Sequence, residues 1–330
     1  MQMTTSSFQQ GVSIICVALL AFAALTGCGG GGSGGSGLGA TPGFAYQELL
    51  NASNDKIGGF SSAYTLSDPP GNVLTSTAAA AGGTVSASRN GPELTFIVTG
   101  LQIGAFQEPQ FQFTVNFVTP AGAFATLVPL AGQPCGSCFR TGTADGVSFT
   151  YLDLAAAGMT YSTLGLWSKP STVVANTEVG GAFAFGVLTR GVDIPTSALA
   201  NATYTGPFVG RYADGTDVYT VGATATAAAD FSSRTVTFNT TNSRRSGTLD
   251  LGLNLTGTLM YAAGTNSLEG PVATVLGGHG MSGIAKGAFF GPGGSTVATS
   301  APAEFGGVVA VSNSPTTPDK SMVGSFALKK

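Results

Sequence analysis

The sequence has little charge of either sign, which argues against nucleic acid as a partner. Only 9% of its 330 residues are charged, against about 25% in a typical domain. The net charge is −3 and the Lys and Arg residues are scattered, whereas binding to nucleic acid requires clustered basic side chains. The densest basic spot is Arg244-Arg245. We interpret it as a solvated turn, with a partner-contact loop as the alternative, and we expect no nucleic-acid partner.

Histidine is nearly absent, which limits the available chemistry. His279 is the single histidine, so a multi-histidine metal centre is excluded and no Ser-His-Asp set can be recognised. We interpret His279 as a loop residue, and ligation of haem by it or by a tyrosine is the alternative. The closest carboxylates, Asp214 and Asp217, surround an Asp-Gly turn signal and lack the oxygen ligands that calcium needs. We therefore predict no enzyme, no catalytic residue, no metal site and no cofactor.

Glycine and apolar residues are abundant, and together they indicate an all-β protein. The chain has 50 Gly and 21 Phe, and 43% of its residues are hydrophobic. That apolar content argues against disorder, because a disordered chain lacks the apolar surface that offsets the entropy of ordering. Thr, Val and Phe recur in short runs broken by Gly, Pro, Asn and Asp, which is typical of many short strands joined by tight turns. No convincing amphipathic helix is present after the N-terminal segment.

The N-terminal residues predict a lipoprotein signal peptide. The apolar run at residues 12–26 is shorter than the roughly 20 residues of a spanning helix, and it ends in Leu25-Thr26-Gly27-Cys28, which looks like a bacterial lipobox. No Lys or Arg precedes it, although secretory signals usually carry a positive segment there. We predict that residues 1–27 are removed and that Cys28 is acylated. Two or more acyl chains give stable anchoring, and Gly29 in place of Asp favours the outer membrane, with the protein facing the surface or the periplasm.

The remaining chain divides into a tether and two β-rich regions. Residues 28–43 form a Gly/Ser-rich tether. Residues 44–195 show period-two alternation at 94–99 and 111–117, which is typical of half-buried strands. A turn at Ile194-Pro-Thr-Ser197 marks the boundary to the last region, residues 196–330.

The last region has strand and turn signals at the spacing of a small barrel. Eight antiparallel strands close a barrel whose interior side chains can fill. Polar Thr and Asn alternate along residues 235–241, so we expect a water-soluble barrel rather than one that spans a membrane. The candidate strands are 202–212, 217–231, 235–241, 248–253, 257–262 with 268–275, 281–290, 303–311 and 322–328.

Two cysteines remain after removal of the signal and acylation of Cys28. Cys135 and Cys138 lie in Pro-Cys-Gly-Ser-Cys-Phe, and export places them in an oxidising compartment. We favour a short-range disulfide. A thioredoxin-like redox pair normally uses a helix N-terminus in a βαβ context, and a zinc half-site needs four ligands. These two readings and free thiols are the alternatives.

The glycine-aromatic motifs at the end of the chain carry a family resemblance. Gly287-Ala-Phe-Phe-Gly-Pro292, then residues 303–307 and 323–327, are similar to the closing strands of the lipoproteins that resemble transferrin-binding protein B and factor H-binding protein. Residues 181–186 and 202–206 resemble the start of that barrel. We interpret the glycines of the closing motifs as residues that allow strand coiling and closure, and their aromatics as barrel filling.

The resemblance implies both an architecture and a class of function. It implies a β-rich handle domain followed by an eight-stranded antiparallel barrel. It also implies binding of a host protein, or of an iron- or haem-carrier protein, at the cell surface. No ligand-contact residue can be transferred, because the loops that bind ligands lie outside the shared motifs. Low charge together with abundant Thr and Ala suggests the alternative of a structural or assembly component of the envelope.

Overall fold

The computed structural model describes residues 57–67, 75–77, 84–90, 93–99, 102–103, 106–107, 109–116, 120–173, 177–214, 217–275, 277–292, 300–314 and 319–330. The predicted signal peptide, Cys28 and the tether lie outside these residues. Within the described ranges, no helix is long and apolar enough to cross a membrane. The predicted boundaries between the tether and the first β-rich region (residues 43 and 44), and between the two β-rich regions (residues 195 and 196), stay predictions.

The fold is all-β, as the sequence predicts. The longest α-helix in the described residues is α1, Leu154–Ala157; 3₁₀ turns lie at Gly122–Ala125, Gly191–Asp193, Ala198–Ala200 and Leu251–Leu253. The strands are β1 Ile57–Ser67, β2 Thr75–Thr77, β3 Thr84–Asn90, β4 Glu93–Thr99, β5 Gln102–Ile103, β6 Phe106–Gln107, β7 Phe111–Asn116, β8 Val128–Pro129, β9 Ser137–Ala144, β10 Val147–Leu152, β11 Ser162–Pro170, β12 Thr177–Val187, β13 Ala202–Asp214, β14 Asp217–Asp230, β15 Thr235–Arg245, β16 Thr248–Leu249, β17 Leu255–Met260, β18 Leu268–Thr274, β19 Ser282–Phe290, β20 Glu304–Ser312 and β21 Lys320–Lys329.

The first part of the chain forms a sheet that we call the handle sheet. Its strand order is β2-β1-β12-β11-β10-β9-β8, and every pair is antiparallel. A smaller sheet, β3-β4-β7, packs against it through aromatic rings: the centroids of Phe113 and Phe149 are 4.7 Å apart, and those of Phe96 and Phe183 are 5.5 Å apart. The single Trp, Trp167, is buried beside this cluster, 5.3 Å from the ring of Phe111.

The last part of the chain forms the predicted eight-stranded antiparallel barrel. The strands follow one another as β14-β13-β21-β20-β19-β18-β17-β15, and β14 also pairs with β15, which closes the ring. Closure leaves no unpaired strand edge in the ring. Buried aromatic and aliphatic side chains fill the interior, and the rings of Phe238 and Phe326, for example, lie 4.6 Å apart.

One predicted barrel strand is wrong. Residues 248–253 were expected to form a ring strand, but only Thr248–Leu249 pairs with β15 and Leu251–Leu253 is a 3₁₀ turn. The Leu-Asp-Leu pattern alternates like a strand, yet Leu249 and Leu251 face solvent and only Leu253 is buried in the barrel core, so the alternating leucines do not form a continuous apolar face for the barrel. The ring still has eight strands because β17 and β18, which the sequence pattern grouped together, are separate members of it.

The handle sheet packs on the outside of the barrel. Val209 of β13 and Ala327 of β21 belong to the handle's hydrophobic cluster rather than to the barrel interior. The Oγ of Ser325 donates a hydrogen bond of 3.1 Å to the carbonyl oxygen of Gly165. A carboxylate adds to this junction: Glu304, the first residue of β20, accepts from the backbone of residues 160–162 in the handle.

Candidate functional site

The glycine-aromatic motifs at the end of the chain lie inside the barrel wall and core. Phe289, Phe305 and Phe326 are fully buried, and their rings contact one another at centroid distances of 5.2 and 5.4 Å. A Cβ on Gly307 would overlap the carbonyl oxygen of Lys286 on the neighbouring strand, so only glycine fits that close approach. These residues therefore build the barrel scaffold.

The structure joins Cys135 and Cys138 by a disulfide. Their Cα atoms are 5.8 Å apart, Cys138 is buried in the handle cluster, and Cys135 is partly exposed. The carbonyl oxygen of Cys138 also accepts a hydrogen bond of 2.8 Å from the backbone N–H of Asp153. The disulfide therefore closes the turn that leads into β9, and the hydrogen bond links Cys138 to the residue that precedes helix α1.

Replacing both cysteines by alanine should destabilise the protein moderately. A disulfide that closes so short a loop is expected to contribute about 2 kcal/mol to the free energy of unfolding. Urea unfolding of the wild type, of the double variant and of the reduced wild type measures this contribution. The last two should differ by only about 1 kcal/mol, since just the two Cys-to-Ala side-chain changes separate them. An unchanged midpoint in the double variant would reject a structural role for the disulfide.

His279 is part of a hydrogen-bonded network at one end of the barrel. Its Nδ1 lies 3.2 Å from the hydroxyl oxygen of Tyr212, and its Nε2 lies 3.1 Å from both carboxylate oxygens of Asp250. Arg245 extends the network, with Nε 3.7 Å from the Asp250 carboxylate and Nη1 3.4 Å from that of Asp214. The loop assignment of His279 is correct, but the residue has partners that the sequence did not reveal.

Sequence reasoning missed Tyr212 and Asp250 because the three partners are far apart in the chain. They come from the end of β13, the turn before Leu251–Leu253 and the β18–β19 connection, which meet only when the barrel closes. A sequence feature that could have pointed to this network is Asp250, a single carboxylate between two leucines that the structure shows to be exposed.

The contacts of this network indicate a structural role rather than a reactive centre. Burial raises the pKa of the Tyr212 phenol, and the nearby Asp214 carboxylate raises it further, so the hydroxyl stays protonated and donates. Both ring nitrogens of His279 are already hydrogen-bonded, which leaves neither available to haem iron in this conformation. The backbone N–H of His279 donates to the carbonyl oxygen of Gly252 at 3.2 Å. The network therefore ties two connections together across the end of the barrel.

Metal-ligand geometry is not found in this region. Among the residues that the structure describes, no three His, Cys, Asp or Glu side chains are placed to hold a metal ion.

Exposed apolar side chains mark the opposite end of the barrel. We call this end, which lies opposite the His279 network, the first end of the barrel, and the His279 end the second. The first end carries the β12–β13, β14–β15, β17–β18 and β19–β20 connections. We define the apolar loop patch as its exposed side chains Val192, Leu199 and Met260. Their exposed fractions are 77%, 80% and 60%. The side-chain N–H₂ group of Asn266, in the β17–β18 connection, donates hydrogen bonds to the carbonyl oxygens of Thr189 and Phe289 at 2.6 and 2.8 Å. The second end carries two half-exposed leucines, Leu249 and Leu251.

Comparison with known proteins finds similarity only among solved structures. No family model matches the sequence, and no curated protein matches it. A double mutant of transferrin binding protein B from Haemophilus parasuis is 11% identical, with a TM-score of 0.41 over 83% of this chain and 76% of that chain. Transferrin binding protein B from serogroup B Neisseria meningitidis is 18% identical, with a TM-score of 0.42 over 75% of this chain and 51% of that chain.

A third similar structure is HpuA from Kingella denitrificans, solved in complex with human haemoglobin. It is 14% identical, with a TM-score of 0.41 over 84% of this chain and 90% of that chain. Solved structures similar to this chain therefore include the transferrin-binding-protein-B-like lobes that its closing motifs predict.

Proposed function

We propose that this protein is a non-catalytic lipoprotein, anchored in the outer membrane through Cys28, that binds a host protein or an iron- or haem-carrier protein with the loops of its barrel and handle. The observation that carries the proposal is the filled barrel. Its interior is occupied by buried side chains such as Phe238, Phe289 and Phe326, so a protein ligand has to dock on the loops or on the handle.

The apolar loop patch is the docking surface with the most suitable chemistry. Long apolar side chains that project into solvent at one end of a domain are typical of interaction sites, and methionine is enriched in protein interfaces. Asn266 links the β17–β18 connection to Thr189, at the start of the β12–β13 connection, and to Phe289 of β19. A surface that is already ordered loses less conformational entropy on binding.

Two probes and two matched variants test the binding proposal. Transferrin and human haemoglobin are the first probes, because the similar structures include transferrin binding protein B and a complex of HpuA with human haemoglobin. The combined variant Val192→Asp, Leu199→Asp, Met260→Asp places charges in the patch, whereas Leu249→Asp, Leu251→Asp places them at the second end. We expect the first variant to weaken capture at least tenfold and the second to leave it unchanged. Equal capture by both variants would remove the patch from the proposal.

If neither probe is captured, binding of an iron- or haem-carrier protein is not supported and the alternative of an envelope component has to be tested. Crosslinking in intact cells then separates the alternatives, since a bond to a resident envelope protein would favour a structural or assembly component.

The anchor has its own test, which depends on Cys28 alone. Cys28→Ser cannot be acylated at the side chain, so we expect the protein to retain its signal peptide, to incorporate no labelled palmitate and to be lost from the outer-membrane fraction. The matched control is Cys16→Ser, which lies within the predicted signal peptide and should fractionate like the wild type. Protease treatment of intact cells then reports the face, because a surface protein is cleaved without permeabilising the outer membrane. A wild type that fractionates as soluble would reject the anchor.

A further inference from the structure

A cleft between the handle sheet and the barrel contains an arginine, Arg211, that has no hydrogen-bond or ion-pair partner among the residues that the structure describes. The cleft has a volume of 270 Å³, and its polar lining residues are Thr141, Ser148, Thr150 and Ser168 from the handle and Arg211 and Thr220 from the barrel. Leu130 and Leu166 contribute apolar walls. No function described above uses this cleft, which lies on the side of the barrel rather than at either end.

The alternation of β13 explains why Arg211 faces the cleft. Phe208 and Tyr212 point into the barrel and belong to its core, whereas Val209 points outward and packs with the handle. Arg211 is two residues after Val209, so it lies on the same outer face. Its neighbour across the β13–β14 pair is Thr220, which brings a hydroxyl to the same side.

The charge of Arg211 is not paired with a carboxylate of any described residue. Other half-buried arginines are paired: Arg140 Nε lies 2.5 Å from Asp153, and Arg245 Nη1 lies 3.4 Å from Asp214. In the part of the chain that the structure describes, no carboxylate lies within 4.0 Å of Arg211, and no hydrogen bond involves its side chain. A guanidinium has five N–H donors in a fixed plane, and partial burial removes part of the water that would satisfy them.

The surrounding hydroxyls add donors but no negative charge. Thr141 and Thr150 hydrogen-bond each other at 3.1 Å through their Oγ1 atoms, and each hydroxyl can also donate or accept with a bound group. Ser148 and Ser168 lie on the same face of the handle sheet, because they pair with each other in the β10–β11 register. The cleft thus presents one fixed cation and several hydroxyl groups.

We propose that this cleft binds a small molecule carrying an oxyanion, either a carboxylate or a phosphate group. Arginine binds both groups through two parallel N–H···O bonds, and the handle hydroxyls can contact the remaining oxygens. The volume lies just below the roughly 300–1,000 Å³ of sites for drug-sized ligands, which suits a small ligand. Since the two walls belong to the handle and the barrel, the ligand would join them. This inference is independent of the protein-binding proposal.

The test compares two anions on the full chain purified in detergent at low ionic strength. Inorganic phosphate and succinate are titrated by calorimetry, and the melting temperature is followed in parallel, because a ligand that binds only the folded state raises it. We expect saturable binding of at least one anion. Phosphate alone would assign a phosphate ligand and succinate alone a carboxylate ligand. Binding of neither would overturn the proposal.

Matched variants show whether Arg211 is responsible. Arg211→Gln should weaken binding at least tenfold, and Arg211→Lys should weaken it less, because it keeps the charge but loses the bidentate geometry. The control is Arg234→Gln, which removes an equal charge from an exposed turn at the first end of the barrel. Equal losses in Arg211→Gln and Arg234→Gln would indicate non-specific attraction and overturn the site. Should Arg211→Gln fail to fold, Thr220→Val takes its place and should weaken binding at least twofold; unchanged binding would again overturn the proposal.

Discussion

Glu304→Ala should lower the free energy of unfolding by about 3 kcal/mol, since it leaves three backbone N–H groups without an acceptor at about 1 kcal/mol or more each. Glu304 is a buried carboxylate at the junction of handle and barrel. Its oxygens accept from the N–H of Thr160 at 2.6 Å and from the N–H and Oγ of Ser162 at 2.8 and 2.7 Å. The N–H of Tyr161 also points at both oxygens, at 3.2 and 3.1 Å. Urea unfolding at 25 °C measures the loss.

An exposed glutamate of the same barrel provides the control. Glu269 is 53% exposed and pairs with Lys286 at 3.1 Å, and a surface pair of this kind contributes about 0–1 kcal/mol. Glu269→Ala should therefore change stability far less than Glu304→Ala. Glu304→Gln should fall between them, because it keeps one acceptor oxygen but turns an N–H₂ group towards N–H donors. Equal losses in Glu304→Ala and Glu269→Ala would mean that the junction does not depend on this carboxylate.

The pH dependence of the same residue has a definite sign. Burial raises the pKa of the Glu304 carboxyl, and the hydrogen bonds from the backbone of residues 160–162 and from the Ser162 hydroxyl offset part of that rise. A group whose folded pKa lies above its unfolded pKa contributes stability that is complete below the unfolded value and is lost as the pH rises through the folded value. The advantage of the wild type over Glu304→Gln should therefore be largest near or below about pH 4, around the unfolded pKa, and shrink towards neutral pH. An advantage that grows instead would show that the donors, rather than burial, dominate.

The sequence predicted those parts of the structure that local patterns control. Period-two alternation located β4 and β7, and the spacing of apolar runs and turns predicted a closed barrel of eight strands. The same rule failed at residues 248–253, where Leu249 and Leu251 face solvent and Asp250 hydrogen-bonds to His279. Alternation reports that a segment has two faces, but it does not report which face the rest of the chain covers.

The features that depend on distant pairing could not be predicted. Glu304 and Ser162 are separated by 142 positions, and Arg211 faces handle hydroxyls that lie more than 40 positions earlier in the chain. Each arrangement depends on how the handle sheet is seated against the barrel wall. Hydrophobic patterning shows that the apolar faces of the handle sheet and the barrel will be buried. However, many relative orientations of the two bury similar areas. Only the assembled structure selects the polar groups that meet at the junction.

Phe289→Ala should be the most destabilising change inside the barrel, at about 3–5 kcal/mol. The Phe289 ring is fully buried and lies among four aromatic rings. Its centroid is 5.2 Å from that of Phe305, 5.3 Å from that of Phe231 and 6.0 to 6.1 Å from those of Tyr261 and Tyr204. Alanine leaves a cavity that such packed rings can fill only partly. Urea unfolding measures the effect, and Phe289→Leu, which retains most of the volume, should lose much less.

The same experiment separates scaffold from recognition, because the two roles predict opposite pairs of results. At a temperature where Phe289→Leu is folded, it should capture a protein ligand as well as the wild type does, since the ring lies inside the barrel. Leu199→Ala should behave in the reverse way. Its side chain is 80% exposed, so stability should change by about 0.5 kcal/mol or less, while capture weakens. A variant of Phe289 that stays folded yet loses capture would mean that the closing motifs take part in recognition, and that the loops alone do not carry it.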